Sequence, residues 1–378
     1  MSAALFGAFL VLMAIGVPIG IATAIPAMVG LVATGGWNFI AVVPQQLLVM
    51  LDRFTLLAVP IYILAGMIVG KTQVAQHLVR MSSALIGPVR GGLGMVVVVA
   101  TIFFSGVSGS SSADTAAIGS ITVPMMRKRG YPVPLSTAIV AAAGATAVLI
   151  PPVNDLVIMG AILNVSIAGL FAAGIVPGLL NGLAVLGLTY LIARRRKLPT
   201  EPRLSLWETV RAVVAGVPAL MMLVIILGGI FKGIFTPTEA AAVAVFYGIL
   251  VSAVVYRDLR LADLWAALVT AGRLTALVLF VVGMSAAFGW WLTFERVPQS
   301  IAAGIASITD GPIAFLLLVQ VLFLLIGTAM DALPAMIVLM PILMPIAVHY
   351  GIHPIHFIIL VQANTAIGFI SPPTGAVL

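Results

Sequence analysis

Long apolar runs separated by short polar segments dominate the 378-residue sequence. A helix that rises about 1.5 Å per residue crosses a hydrocarbon core of about 30 Å in roughly 20 residues. Seven runs are therefore predicted to cross a membrane, namely residues 3–33, 54–70, 133–164, 167–193, 212–231, 239–256 and 274–293. Residues 37–51 are amphipathic and contain Pro44, so we predict that they lie along the interface. The pattern is typical of an all-α polytopic membrane protein.

The composition excludes a soluble protein. Hydrophobic residues make up 62% of the chain and charged residues only 8%, against about 25% charged residues in soluble domains. So few charges could not cover the surface of a globular enzyme or of a nucleic-acid-binding protein. Cysteine is absent, which excludes disulfides, thiolate chemistry and Cys-ligated metals.

Basic residues cluster between the apolar runs and indicate the orientation. Most of the 18 Lys and Arg residues lie within 71–90, 127–129, 194–211 and 257–273, and the positive-inside rule places these segments in the cytoplasm. The chain begins without the charged segment and cleavage site of a removed signal peptide, so we expect a membrane helix from Met1 onward. The side of the N-terminus stays open.

Two apolar segments do not fit simple crossings. Residues 91–126 have basic clusters at both ends, so the segment must enter the membrane and return to the same side. Its predicted turn, residues 105–114, is rich in Ser and Gly, and such backbone persists at membrane depth only inside protein or beside a water-filled cavity. Residues 312–348 lack basic flanks, so this second hairpin should enter from the opposite face, with its turn at 327–332.

The two segments belong to an internal repeat. In each half an Asp precedes a Pro by ten residues, and a Gly precedes a Pro-Pro pair by 21; these are Asp114 and Pro124, Asp331 and Pro341, Gly130 and Pro151-Pro152, and Gly351 and Pro372-Pro373. Oppositely oriented repeats with broken helices are typical of secondary transporters. The alternative is a chance match in a chain with 23 prolines.

The repeat divides a single transporter chain. Repeat 1 covers about 54–193, with hairpin 91–126 and broken helix 133–164. Repeat 2 covers about 274–378, with hairpin 312–348 and broken helix 355–378. Scaffold helices in 194–273 connect the two.

Three stretches carry a resemblance to a known family: FFSGVSGSSSADTAAIGSITVPMMRKRGYP, GIFTPTEAAAVAV and GFISPPTGAVL. The chain resembles the large membrane subunit of TRAP transporters (tripartite ATP-independent periplasmic transporters) along its whole length. The chain departs from the family at Asp155, where the family more often has an apolar or small residue. The family also continues through the rest of the second broken helix and one further membrane helix.

The resemblance implies a sodium-coupled importer of an organic anion in the bacterial inner membrane, such as a C4-dicarboxylate, sialic acid or sugar acid. Its expected partners are a small four-helix membrane subunit and a periplasmic substrate-binding protein. Binding of nucleic acid is not expected. It implies an elevator, in which both hairpins and both broken helices slide against a scaffold. A standalone sodium–dicarboxylate symporter is the alternative. A channel fits two inverted hairpins less well, and a respiratory proton pump would need charged residues in mid-helix.

Sodium is the expected coupling ion, and it prefers oxygen ligands. By the resemblance, the first sodium site uses the hydroxyls and carbonyls of Ser105, Ser108, Ala147, Ile150 and Pro152. The second site uses the corresponding groups of repeat 2: Gly327, Gly368, Ser371 and Thr374. The alternative is that these small residues only allow close helix packing.

The substrate is expected beside the hairpin tips and the first helix break. An anion should settle against the N–H groups around Ser110, Ser111 and Ser112. The remaining substrate candidates are polar residues in apolar surroundings: Asp114, Asp331, Asn154 and Asp155. Asp114 and Asp331 could instead cap helices, and Asp155 could pair with a neighbour or hold a cation or proton.

Glu239 is a further acid near an apolar run. The sequence Thr236-Pro237-Thr238-Glu239 indicates a helix capping box with proline at the first helical position. We therefore predict a structural role for Glu239.

Overall fold

The computed structural model describes residues 2–306, 311–329 and 332–372, and the secondary structure of these residues is helical throughout. Asp331 and Thr374, both predicted site residues, lie outside the described residues. Within the described part, four helices are long and apolar enough to cross a membrane, and a bent helix pair adds a possible fifth crossing.

The N-terminal part contains five α-helices: α1 (Ser2–Ala14), α2 (Ile19–Gly35), α3 (Val42–Leu51), α4 (Ala58–Gly70) and α5 (Val74–Ile86). Short 3₁₀ helices, Trp37–Ala41 and Phe54–Leu57, precede α3 and α4. Residues 3–33, predicted to cross the membrane as one run, form two helices instead, because the chain breaks between α1 and α2. Gly16 has φ +83° there, and Pro18 lacks the N–H that would continue the helix. The stretches Trp37–Leu51 and Phe54–Gly70 meet at 67°.

The first hairpin and the first broken helix form the next four helices: α6 (Gly92–Ser108), α7 (Ser111–Lys128), α8 (Val133–Ala147) and α9 (Asn154–Leu163). The predicted turn at residues 105–114 was too long, since both of its ends are helical. Only Gly109 and Ser110 separate α6 from α7. The helix break between α8 and α9 contains the Pro151–Pro152 pair.

Four long helices follow: α10 (Ile167–Arg195), α11 (Leu206–Phe231), α12 (Pro237–Leu250) and α13 (Leu261–Phe294). The capping box at the start of α12 is confirmed, because Thr236 Oγ1 accepts from the Glu239 N–H and Glu239 accepts from the Thr236 N–H. Helix α13 begins 13 residues before the predicted crossing at 274–293, so it continues through Arg273.

The last described helices are α14 (Val297–Ala306), α15 (Pro312–Ala329), α16 (Ala332–His349) and α17 (Pro354–Gly368). Helices α15 and α16 occupy the segment of the predicted second hairpin. Gly327 and Thr328 of its predicted turn are helical. Helix α17 begins one residue before the predicted second broken helix.

Packing gathers the hairpins and broken helices together. Helices α6 and α7 pack on α8, α15 and α16 pack on α17, and α16 also packs on α9. The fully buried rings of Phe315, Phe323 and Phe357 belong to this core. Helices α2, α3 and α4 pack on α13, and α4 also packs on α12, which builds a neighbouring layer.

Candidate functional site

A cavity of about 510 Å³ lies between these two layers. Helices α4 and α13 line it with apolar side chains and one glycine. Leu333 and Phe369 of repeat 2 also line the cavity. The polar lining comes from the first hairpin tip and the start of α9: Ser108, Ser110, Ser111, Ser112, Asn154 and Asp155.

The hairpin tip is shaped by Gly109. Its φ of +66° is left-handed, a conformation that glycine adopts without steric cost, and its N–H donates to the Ser105 carbonyl at 3.0 Å. Gly66 of α4 lies directly against the Ser108 carbonyl, where an added Cβ would overlap the oxygen. The Asn154 N–H donates to the Gly109 carbonyl at 3.4 Å. The tip is thus held between helix α4 and the start of α9.

Oxygen atoms converge behind the tip. Ser105 Oγ donates to the Ala147 carbonyl at 2.9 Å, and this carbonyl lies where α8 ends and helical acceptor pairing stops. Ser108 Oγ donates to Asp114 Oδ1. Asp114 is fully buried, Ser105 lies beside its carboxylate, and Asp114 Oδ2 has no hydrogen-bond partner. The arrangement joins two hydroxyls, a free carboxylate oxygen and a helix-end carbonyl.

The position of Asp114 differs from the predicted one. It was predicted to contact substrate, but it does not line the cavity and lies behind Ser108 instead. The capping alternative for Asp114 was also wrong, because Ser110 is the N-cap of α7 and no side chain caps this helix end. Ile150 and Pro152 lie in the buried break between α8 and α9.

In repeat 2, the structure brings Gly327 and Gly368 into backbone contact. Ser371 Oγ donates to the Ile367 carbonyl at 2.7 Å, so its hydroxyl lies at the end of α17. This end of the helix is close to the cavity through Phe369.

Apart from Asp114, the predicted substrate residues of repeat 1 line the cavity. The hydroxyls of Ser110 and Ser112 lie 3.5 Å apart at the start of α7. Ser111 Oγ donates to the Gly144 carbonyl at 2.6 Å and ties this start to α8. Asn154 Oδ1 is buried and has no hydrogen-bond partner.

Sequence reasoning missed Gln362 of α17. This wholly buried amide donates from Nε2 to Asp155 Oδ2 and to the Val148 carbonyl, both at 3.2 Å. It thereby links repeat 2 to the break in repeat 1. Its signal in the sequence was an amide inside an apolar run, since buried polar residues in membrane helices are costly and usually functional.

The described lining contains an acidic side chain but no basic one. Asp155 is acidic, and no Lys, Arg or His side chain lines the cavity in the part of the chain that the structure describes. Among the same residues, no group of three or more His, Cys, Asp or Glu side chains is suited to a metal ion.

Membrane-length apolar helices and a cavity with a partly polar lining are features expected of a polytopic membrane transport protein. The chain belongs to the family described as "Tripartite ATP-independent periplasmic transporter, DctM component", whose model it matches over residues 6–378. Members of this family are transporter permeases and not enzymes, and the chain is a TRAP large permease subunit.

Three curated relatives illustrate the family. The chain is 41% identical to an isethionate TRAP transporter permease of Oleidesulfovibrio alaskensis over 98% of its own length and 58% of the relative's. It is 41% identical to the C4-dicarboxylate large permease of Pseudomonas aeruginosa over 86% of its length and 76% of the relative's. It is 37% identical to the sialic acid large permease of Vibrio cholerae over 100% and 88%.

A solved structure shares the fold. The YdaH transporter of Alcanivorax borkumensis superposes with a TM-score of 0.62 at 17% identity, covering 90% of this chain and 80% of that one. At this identity the similarity concerns the fold alone.

Proposed function

We propose that the chain carries an organic acid across the bacterial inner membrane by sodium-coupled elevator transport. It would do so with a small membrane subunit and a periplasmic binding protein. The family supports the transport role and the relatives' printed names support organic acids, from isethionate to C4-dicarboxylates and sialic acid. The sodium coupling rests on the geometry of the first hairpin.

The observation that carries the sodium proposal is the oxygen cluster around Asp114. Sodium is a hard cation that takes carboxylate, hydroxyl and carbonyl oxygens. Ser105, Ser108 and the Ala147 carbonyl supply neutral oxygens, and Asp114 supplies a buried negative charge whose Oδ2 has no hydrogen-bond partner. A buried charge of this kind is costly without a counter-ion. A bound cation would remove that cost, so the residues present fit sodium.

The second sodium ion would bind where α15 meets the end of α17. The proposed ligands are the carbonyls of Gly327 and Gly368 and the oxygens of Ser371 and Thr374. The backbone contact between the two glycines supports this proposal, because it brings carbonyl-bearing helix ends together.

The substrate would bind in the cavity in front of the sodium site. Its acid group would meet the first N–H groups of α7 at Ser111 and Ser112, which have no helical acceptor and attract anions. Both the hairpin tip and the start of α9 line the same space. Sodium would bind on the Asp114 side of Ser108, and the substrate would bind on the cavity side. Because both ligands would contact the same hairpin, binding of one would favour binding of the other.

The packing supports an elevator. Both hairpins and the broken helices pack on one another, whereas α4 and α13 face the cavity with apolar side chains and glycine. An apolar wall offers few directional bonds that would oppose sliding. We propose that the hairpin body moves along α4 and α13 with the substrate.

Uptake into proteoliposomes tests the proposal. The large and small subunits are reconstituted together, the binding protein is added outside, and succinate, sialic acid, isethionate, L-aspartate and taurine are offered as labelled probes. We expect concentrative uptake of one acid under an inward sodium gradient, without ATP, and none when choline replaces sodium on both sides. Undiminished uptake in choline would overturn sodium coupling.

The same vesicles decide between a tripartite system and a standalone symporter. Omitting the binding protein should abolish uptake of the free acid if the system is tripartite. Robust uptake by the membrane subunits alone would favour the standalone symporter.

A further inference from the structure

We propose that the substrate carries a cationic nitrogen in addition to its acid group, and that Asp155 binds that nitrogen. This inference rests on the proposed function, because it concerns the same cavity. It narrows the substrate class to amino acids and related zwitterions, and away from acids whose only charged groups are negative.

Asp155 places a carboxylate on the cavity wall. It is the second residue of α9 and follows Asn154, which comes directly after the extended residue Val153. The remaining polar lining is neutral, and the described lining contains no basic side chain. The ionisable side chain of the described lining is therefore an acid, which is unexpected around an anion.

Gln362 holds Asp155 in place. Its Nε2 donates to Asp155 Oδ2 and, through the second N–H, to the Val148 carbonyl. Gln362 is wholly buried and donates to both groups, so it orients the Asp155 carboxylate relative to the break between α8 and α9. Gln362 is thus a positioning residue, and Asp155 is a built part of the site.

The cavity presents opposite polarities at two places. The start of α7 presents N–H groups and a positive helix end near Ser111 and Ser112, where an acid group is favoured. Asp155 favours a cation. A zwitterion satisfies both, whereas a dianion would bring its second acid group toward Asp155, and like charges repel strongly in a low-dielectric site.

Two other roles for Asp155 are possible outcomes of the test. The carboxylate could serve only to offset the positive end of α9. It could also be a ligand of the coupling cation. In either case, removing its charge would leave the preference between amino and non-amino acids unchanged.

Matched ligand pairs provide the test. The purified large–small subunit complex is held at saturating sodium, and binding is measured as thermal stabilisation against probe concentration, without the binding protein. Each pair differs by one amino group: L-aspartate and succinate, L-glutamate and glutarate, and taurine and ethanesulfonate. The variants are Asp155→Asn, Asp155→Glu and, as an exposed control, Asp52→Asn.

We expect the amino member of at least one pair to bind about tenfold or more tightly than its partner in the wild type. Asp155→Asn should remove this preference, while Asp155→Glu and Asp52→Asn keep it. The sodium dependence of binding should stay unchanged in Asp155→Asn.

Equal or tighter binding of the non-amino member in every pair would overturn the inference, and the wild type alone decides this even if a variant fails to fold. A changed sodium dependence in Asp155→Asn with an unchanged preference would also overturn it and make Asp155 a cation ligand. Binding of no member of any pair would overturn this inference, while sodium-driven uptake in the proteoliposomes still decides the organic-acid assignment.

Discussion

Gly327 and Gly368 pack backbone against backbone where α15 meets the end of α17. A Cβ added to Gly327 would lie 2.9 Å from the Gly368 Cα, and a Cβ added to Gly368 would lie 2.8 Å from the Gly327 Cα. No flexible side chain stands between the two that could move aside. The contact requires glycine at both positions.

We predict that Gly327→Ala destabilises the protein by about 1–3 kcal/mol, the usual cost of forcing a methyl group into a packed contact. Thermal unfolding in detergent should show a lower melting temperature. Gly272→Ala is the matched control, because Gly272 also lies in a helix but has open space around it. Equal melting temperatures for the two variants would contradict the close contact.

Arg53 joins the segment between α3 and α4 to the end of α9. Its Nη1 donates to the Ala161 carbonyl at 2.7 Å and to Asn164 Oδ1 at 3.1 Å. A cation at the C-terminal end of a helix also interacts favourably with the helix dipole. The side chain therefore bonds the moving body of the proposed elevator to its scaffold in this conformation.

We predict that Arg53→Gln weakens this conformation by about 1.5–3 kcal/mol, the value of hydrogen bonds from charged donors. A crosslink or fluorescence pair between α4 and α9 should then report a shifted equilibrium between transport states. Arg195→Gln, a change of an exposed arginine, should leave the equilibrium in place. An unchanged equilibrium in both variants would show that the hydrogen bonds of Arg53 to the end of α9 do not stabilise this conformation.

His77 lies on α5, outside the predicted crossings, and its ring stacks on Tyr256 with the ring centroids 4.2 Å apart. Burial, and next the Arg80 guanidinium, lower the pKa of His77, while Asp258 acts in the opposite direction. Just below the ordinary histidine pKa of about 6.5, the unfolded chain therefore binds more protons than the folded protein. Neutral His77 therefore contributes its full stabilisation of the folded protein above the ordinary histidine pKa. This contribution is lost as the pH falls through the lowered pKa of His77 in the folded protein.

We accordingly predict that the melting temperature drops between about pH 7.5 and pH 5.5, and that His77→Gln makes this drop smaller. His356→Gln, at an exposed position, should keep the wild-type pH dependence. A profile for His77→Gln that parallels the wild type at every pH would show that this histidine does not contribute.

Proline and glycine made much of the fold predictable. The break between α8 and α9 surrounds a Pro-Pro pair, and a Pro at the first helical position marks the start of α12. These residues act through their own backbone, so their effect can be read without knowing the neighbours. The break between α1 and α2 has the same cause, at Gly16 and Pro18, and was missed because hydropathy continues across it.

The site was less predictable because it depends on which way side chains point. Ser105 and Asp114 were placed in a flexible turn, but tertiary packing keeps both in helices. Asp114 consequently turns inward toward Ser108 and away from the cavity. Gln362 could not be assigned from spacing, because its partner Asp155 lies 207 residues away in the other repeat.

The sodium dependence of uptake by Ser108→Ala tests the central claim most directly. The change deletes one oxygen beside Asp114 and leaves a residue that packs as well in a helix, so folding should persist. Ser120→Ala, at an exposed position on α7, the other helix of the same hairpin, is the control. Uptake of the identified acid is measured in proteoliposomes against sodium concentration.

The account predicts that Ser108→Ala needs roughly 5–150-fold more sodium for half-maximal uptake, the equivalent of about 1–3 kcal/mol for one lost oxygen contact. Ser120→Ala should follow the wild-type curve. Superimposable sodium curves for Ser108→Ala, Ser120→Ala and the wild type would contradict a sodium site at the first hairpin and leave Ser108 with a packing role.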